Sequence, residues 1–498
     1  MSATDAKPQT RAVRADGVIR MIPGDRFTPF GLALKLGARI LFESSTFRRG
    51  RSRYSLLVLD EAFRLIQRGD RVLLRMDGDE RPYDSAPVRD ILDAAARFAD
   101  QHPPLHQDFP YPCGGFGYLA YEFAARCDRI RLSPPAAKPD DTALDDGVFL
   151  FGHVYLVFDH HADVIYLHGV NYHEHAIDLA AALDGVERRI RALDFRYLEE
   201  PPPARPARLD PDPEGEAAFL AGVVELKQAI DRGDLLQAVL SRRLAATTGQ
   251  SSMDSYRRLR SLNPSPYMFH IDFGDFQLFG ASPEVHVRGR EGRLQIRPLA
   301  GTRPRSDDPA ENARLRAELR SDEKERAEHL MLVDLARNDL GRLALPGGVR
   351  CSREPDIEEY SHVMHLASLV EADARVGVGA ADAIRATFPA GTVSGAPKIR
   401  AMEMIDRLEK HPRRYYAGLV GYLEPGGAFD TCIAIRCALQ RGDRLWLQAG
   451  AGIVHDSDPS RELAETNHKL RAMLAAVGLA DSARPAAPAS NAMERSRS

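Results

Sequence analysis

An α+β fold with large antiparallel sheets is predicted by three features of this 498-residue chain. Its second half alternates hairpin-like strand pairs with helices, regular strand–helix–strand alternation is absent, and no internal repeat is visible. The sheets are expected to form a sandwich with helices on the outside. With 44% hydrophobic and 28% charged residues, the chain has the composition of a globular protein. A net charge of −4 gives no electrostatic case for nucleic acid or an anionic membrane as partner. Five scattered cysteines without CxxC spacing (Cys113, Cys127, Cys351, Cys432, Cys437) point to a reducing cytoplasm rather than a disulfide framework or a zinc site. The opening MSATDAKPQTRAVRADG lacks the apolar core of a signal peptide, and the most apolar run, 148–158, is too short to span a bilayer.

Taken in order, residues 1–17 are polar and expected to be mobile. Residues 38–60 read as strand, polar turn, strand, with Glu43 and Ser44 at the centre of LFESS. GGFGYLAYEF (114–123) is a glycine-rich turn entering an aromatic strand or helix, without the spacing of a dinucleotide fingerprint. Residues 147–170 read as two strands joined by DHHAD, and a helix is expected over 176–194. The histidines of DHHAD and NYHEHA sit among loop-like residues and make poor metal ligands. The proline-rich, charged segment 199–216 reads as a connector between an amino-terminal region, 18–198, and a denser region, 217–480. Beyond it come a helix at 216–232, strands at 235–246 and 263–305, and helices near 308–320, 321–342, 379–387, 396–410 and 459–477. The tail, 481–498, is of low complexity and expected to be disordered.

The helix predicted at 321–342 organises the rest. Ser321 reads as its N-cap, and Leu330, Met331, Val333, Leu335 and Leu340 give it an apolar face. Glu325 and Glu328 lie three apart and share a side; Glu462 and Glu465 repeat the device near the carboxyl terminus, with Lys469 four residues on. Two such helices facing across a cleft could hold Mg²⁺, which takes one or two protein carboxylates and lets water and substrate supply the rest. Glutamate pairs at this spacing are also common on solvated helix faces. Other polar residues stand where a strand core is expected: Glu284 after a strand in GASPE, His365 in HVMHLAS, and Arg436 on a strand in AIRCA. TFPAGTVSGAPK (387–398) lacks Walker spacing and reads as a loop whose N–H groups and Thr392 hydroxyl face a ligand carboxylate.

GASPE, RPLAGTRPR, EHLMLVDLARNDLGR, VMHLAS, TFPAGTVSGAPK, DTCIAIR and QAGAGIVHDSDPSRELAETNHK, in this order, resemble the chorismate-utilising enzymes over residues 215–478. LFESS and GGFGYLAYE resemble that family's first region. The resemblance implies chorismate as substrate and Mg²⁺ held by Glu328 and Glu465, with Glu325 and Glu462 acting through water. It implies Arg436, Tyr416 and Gly450 at the enolpyruvyl carboxylate, and Thr302, Thr392, Gly395 and Lys469 around the rest of the substrate. Glu284 would protonate the departing C4 hydroxyl, which needs a carboxyl of raised pKa, and His365 would assist proton transfer as pyruvate leaves.

Two residues choose among the family's branches. Members that add water carry a lysine base where this chain has Ala238, and members that attack covalently carry a lysine where it has Ala300. What remains is direct attack by ammonia and formation of anthranilate. In that branch the resemblance implies a separate glutamine amidotransferase subunit, since no GxCxG glutaminase motif is present. It also implies feedback by L-tryptophan at Glu43, Ser44, Pro266, Tyr267 and Met268, acting through differential affinity for two states. The nearest alternatives are members that stop at aminodeoxychorismate or aminodeoxyisochorismate. A non-enzymatic alternative is an inactive subunit that binds tryptophan or a partner.

Overall fold

The computed structural model describes residues 16–479, apart from 47–49, 52, 86, 105–108, 135–136, 193, 196–204, 206, 307 and 360–362. The disordered tail expected at 481–498 and all of the expected mobile start but residues 16 and 17 lie outside the described residues, as do 199–204 and 206 of the connector, whose remainder includes the strand Ala207–Leu209 and the start of the helix Pro213–Asp231.

Two antiparallel sheets, each of twelve strands among the described residues, pack face to face. Each is assembled from both halves of the chain. In the first, Ile40–Glu43 of the amino-terminal half pairs with Tyr267–Asp272, setting Met268 opposite Glu43 and Phe269 opposite Phe42. In the second, Phe116–Leu119 pairs with Leu419–Leu423, setting Gly117 opposite Gly421. The other neighbour of Phe116–Leu119, the strand Gly147–Phe151, explains Gly117 of GGFGY. A Cβ on Gly117 would sit 1.9 Å from the Val148 carbonyl oxygen, so only glycine permits this approach. The regions flanking 199–216 therefore share both sheets and one central core, in which Phe42, Phe63, Tyr118 and Phe151 pack with Phe269, Tyr416 and Leu419.

Alternating residues on the outer face of the first sheet bury Leu41, Leu57, Met268 and Phe279 under helices Pro29–Leu36, Leu179–Arg191, Ser252–Leu262 and Pro459–Ala476. Residues 147–170 form three strands, where two were expected. Gly147–Phe151 lies in the second sheet, and Val154–Asp159 and Val164–Val170 lie in the first. The apolar run hides the break at Gly152 and His153, where the chain passes between sheets. The predicted helix at 321–342 begins two residues later, at Glu323, and ends at Gly341. Its N-cap is Asp322, whose carboxylate accepts from the Lys324 and Glu325 N–H groups; Ser321 closes the preceding helix.

Candidate active site

The site lies at one end of the sandwich, where helices Glu323–Gly341 and Pro459–Ala476 meet the turns of the carboxyl-terminal strands. Glu328 is mostly buried, and burial together with the charges of Glu325 and Glu465 pushes its carboxyl above the usual range. Glu462 is likewise raised, by burial first and then by Glu465, against a hydrogen bond from Ser457. The two carboxylate pairs predicted from spacing are thus within electrostatic reach of one another. Lys469 Nζ sits 2.6 Å from Glu465 Oε1 and donates to the Gly450 carbonyl at 2.8 Å. Glu325 also pairs with Arg303, whose guanidinium reaches Glu318 and Asp322 as well, at 2.7–3.1 Å. The sequence reading missed Arg303, although it stands inside the motif RPLAGTRPR.

Among the described residues no three His, Cys, Asp or Glu side chains group as a ready-made metal cage. Glu328 and Glu465 still fit Mg²⁺, a hard cation content with two carboxylates, water and substrate oxygens. Their mutual repulsion, visible in the raised Glu328 carboxyl, is what a divalent ion would relieve.

Glu284 follows Gln277–Ser282 and is 9% exposed. Burial pushes its carboxyl up to about 8, against opposing pulls from Thr392 and Lys469. The Thr392 hydroxyl is buried without a fully formed hydrogen bond and lines the same small cavity as Glu284. Below them Lys398 donates to both oxygens of Asp339, at 3.0 and 2.9 Å, so the lysine of GAPK faces a carboxylate rather than a ligand phosphate.

His365 lies on Val363–Ala374 opposite Thr302, whose side chain lies outside what is described. Its Nδ1 donates to the Gly301 carbonyl at 2.9 Å, and burial pushes the imidazole down to about 4, assisted by Arg436. The ring is therefore neutral near pH 7, with Nε2 as its basic nitrogen.

Arg436 is not on a strand, as expected from AIRCA, but at the bend between Phe429–Ile433 of the second sheet and Cys437–Arg441 of the first. Its φ of 52° is left-handed, a strained state for a side chain with a Cβ. Burial lowers its pKa, against the influence of Tyr416 and Glu465. No hydrogen bond or ion pair engages its guanidinium among the described residues. Gly450 faces Ser241 across the sheet, and a Cβ there would come within 3.0 Å of the Tyr416 hydroxyl. Gly395, at φ 144°, pairs with Ala238 so closely that a Cβ would lie 2.3 Å from the Gln237 carbonyl oxygen.

A second cavity, of about 250 Å³, opens between the sheets at the first seam. Glu43, Ser44, Pro266 and Tyr267 line it, as expected, and Phe42, Tyr422 and Asp430 join them. Met268 does not. Strand alternation turns its side chain to the opposite face, into the core under the helices. Glu43 is held by the Tyr256 hydroxyl at 2.9 Å and by Arg260 at 2.6 Å. Tyr267 donates to Asp430 at 2.8 Å.

A family model described as chorismate binding enzyme matches residues 48–475. The chain is 54% identical over 477 residues to the anthranilate synthase component 1 of Spirochaeta aurantia, covering 95% of this chain and 98% of that protein. The crystal structure of anthranilate synthase component I from Streptococcus pneumoniae matches with a TM-score of 0.74 at 33% identity, over 85% of this chain and 92% of that one. The menaquinone-specific isochorismate synthase of Escherichia coli shares the fold, with a TM-score of 0.69 at 21% identity over 94% and 96% of the two chains.

Proposed function

The chain belongs to the chorismate-binding enzyme family, and we propose that it is an anthranilate synthase large subunit, forming anthranilate and pyruvate from chorismate and ammonia. The observation that carries this reading is a pair of alanines. Ala238 lies against Gly395, and Ala300 lies opposite Leu366 on the strand that sets Thr302 opposite His365. With no lysine at either position, neither water activation nor covalent attack has a group to perform it.

Arg436 and the Tyr416 hydroxyl, with Gly450 leaving room, would take the enolpyruvyl carboxylate. Thr392 and Gly395 would face the ring carboxylate. Ammonia attacks C2 as the C4 hydroxyl departs; Glu284 gives that hydroxyl its proton so that it leaves as water, and is reprotonated by the proton that the new C2 ammonium sheds. His365 Nε2 then takes the C2 proton as the bond to the enolpyruvyl oxygen breaks; the enolpyruvate gains a proton and leaves as pyruvate, and the ring becomes aromatic. Glu328 and Glu465 would hold Mg²⁺, with Glu325 and Glu462 behind water, and the bound ion would neutralise carboxylate charge as a Lewis acid.

The name component 1 carried by the relatives supports a second subunit, which we take to be a glutamine amidotransferase supplying ammonia. The pocket at Ser44 and Tyr267 is the proposed tryptophan site. No helix among the described residues is long and apolar enough to cross a membrane, and the free, buried thiols of Cys113, Cys432 and Cys437 support a cytoplasmic setting. The test is product identification. Chorismate, Mg²⁺ and an ammonium salt should give fluorescent anthranilate and pyruvate in equal amounts. An aminated ring that accumulates without pyruvate, or no turnover, would overturn the reading.

A further inference from the structure

Behind the substrate-facing residues lies a buried ion pair to which the mechanism gives no task. The side chains of Arg413 and Glu409 are 2% and 6% exposed. Arg413 donates through Nε and Nη2 to the two Glu409 oxygens, at 2.9 and 2.7 Å. Nη1 reaches the Val393 carbonyl at 2.7 Å, and Nη2 also reaches the Val239 carbonyl at 2.5 Å. The guanidinium lies 4.5 Å from the ring centre of Tyr121 and 5.7 Å from that of Tyr416. Glu409 Oε1 additionally accepts the N–H and hydroxyl of Ser241, at 2.8 and 2.7 Å.

Each tether ends beside a group that faces substrate. Val393 follows Thr392, Ser241 stands opposite Gly450, and Tyr416 belongs to the turn that Arg413 begins. That turn is strained, with Arg414 and Ala417 at φ 54° and 60°. Glu122, from the amino-terminal motif, holds it by accepting the Arg413 and Arg414 N–H groups at 2.8 and 3.1 Å. Burying an ion pair gains little stability over well-packed apolar residues of similar size, so stability alone is a weak reason for this one.

We propose that Arg413, clamped by Glu409 and by Tyr121 and Glu122 of the amino-terminal half, is a positioning residue that fixes the separation of the two substrate-carboxylate subsites, the Thr392 side and the Tyr416 side. The proposal rests on the reading of the site given above. A substrate bearing both carboxylates depends on that separation, whereas each product carries only one and fits either side alone.

The test compares chorismate with the two products in the full chain carrying Arg413→Lys, which keeps the charge but cannot span four acceptors. The KM for chorismate should rise 10-fold or more, while the inhibition constants for pyruvate and for anthranilate move less than 3-fold. A parallel rise in all three, or no change, overturns the proposal. If Arg413→Lys does not fold, Glu122→Gln loosens one arm; its chorismate KM should rise about 5-fold with the product constants unmoved, and an unchanged KM overturns the proposal. Failure of the unsubstituted protein to make anthranilate would sink the functional reading instead. The clamp is then judged by calorimetric binding of chorismate to the same variants, where equal affinities overturn it.

Discussion

The cleft around Glu284 and the pocket around Ser44 are carved from the same two sheets, yet their charged groups are treated in opposite ways. In the pocket they have hydrogen-bonding partners: Glu43 has Tyr256 and Arg260, and Asp430, though burial pushes its carboxyl up to about 6, has Tyr267. In the cleft they are held in tension. Glu328 and Glu284 are pushed up by burial, and the Arg436 guanidinium meets no hydrogen-bonding partner among the described residues. The cleft is thus prepared to gain from a charged ligand, and the pocket to recognise by shape. The two nevertheless share a wall, since Val285 and Ile296 line both the pocket and the cavity beneath Glu284.

The sharpest way to break this contrast is to remove charge from the cleft. Glu328→Gln should lower anthranilate formation by about 10³-fold, equivalent to roughly 4 kcal/mol of transition-state stabilisation. Calorimetry should show Mg²⁺ affinity lost as well, and chelation of the unsubstituted protein should mimic the variant. If turnover and Mg²⁺ binding both survive, the four carboxylates are only a solvated face.

A smaller effect is expected at Glu284. Glu284→Gln should cost about 10²- to 10³-fold in kcat, the lower part of the roughly 10²- to 10⁴-fold range of a general acid. The sign of its pH dependence follows from its proposed role as general acid. The acid works only when protonated, and its carboxyl is pushed up to about 8. At constant free ammonia, turnover should therefore hold below pH 8 and fall as pH rises beyond it. His365, pushed down to about 4, stays neutral across that range and adds no limb. The alkaline limb should vanish in Glu284→Gln; its persistence there would assign it to another group.

The cleft was far more legible in the sequence than the architecture around it. Glutamates three apart on a helix declare a shared side, and the motifs singled out Glu284, His365 and Arg436, three polar side chains that the fold largely buries. The details that failed depend on chain direction rather than residue type. Arg436 read as a strand residue because its neighbours are apolar, but those neighbours belong to two different sheets. Ser321 lost the N-cap to Asp322 because two helices abut there and one residue serves both. Met268 was placed in the pocket with Tyr267, although adjacent strand residues face opposite ways. The interleaving of the halves was invisible because strand alternation reveals a buried face but not a partner, and Phe42 meets Phe269 across more than two hundred residues. Arg413 was overlooked for a related reason, since its acceptors come from three separate segments.

The smallest effect on chemistry should come from the pocket, and there the contrast is most exposed to refutation. Ser44 is half-buried and lines a cavity whose neighbouring charges are already paired, so Ser44→Phe fills space without stranding a charge. Turnover should stay within about 2-fold of the unsubstituted protein, because surface-lining changes that leave buried pairs intact disturb stability little. Inhibition by tryptophan should instead weaken at least 10-fold, since a ligand shifts a two-state equilibrium only through its differential affinity, and a filled cavity has none to offer. Retained inhibition in this variant would place the effector elsewhere. A large loss of turnover would show that the shared wall of Val285 and Ile296 transmits packing strain directly to Glu284, making pocket and cleft one mechanical unit.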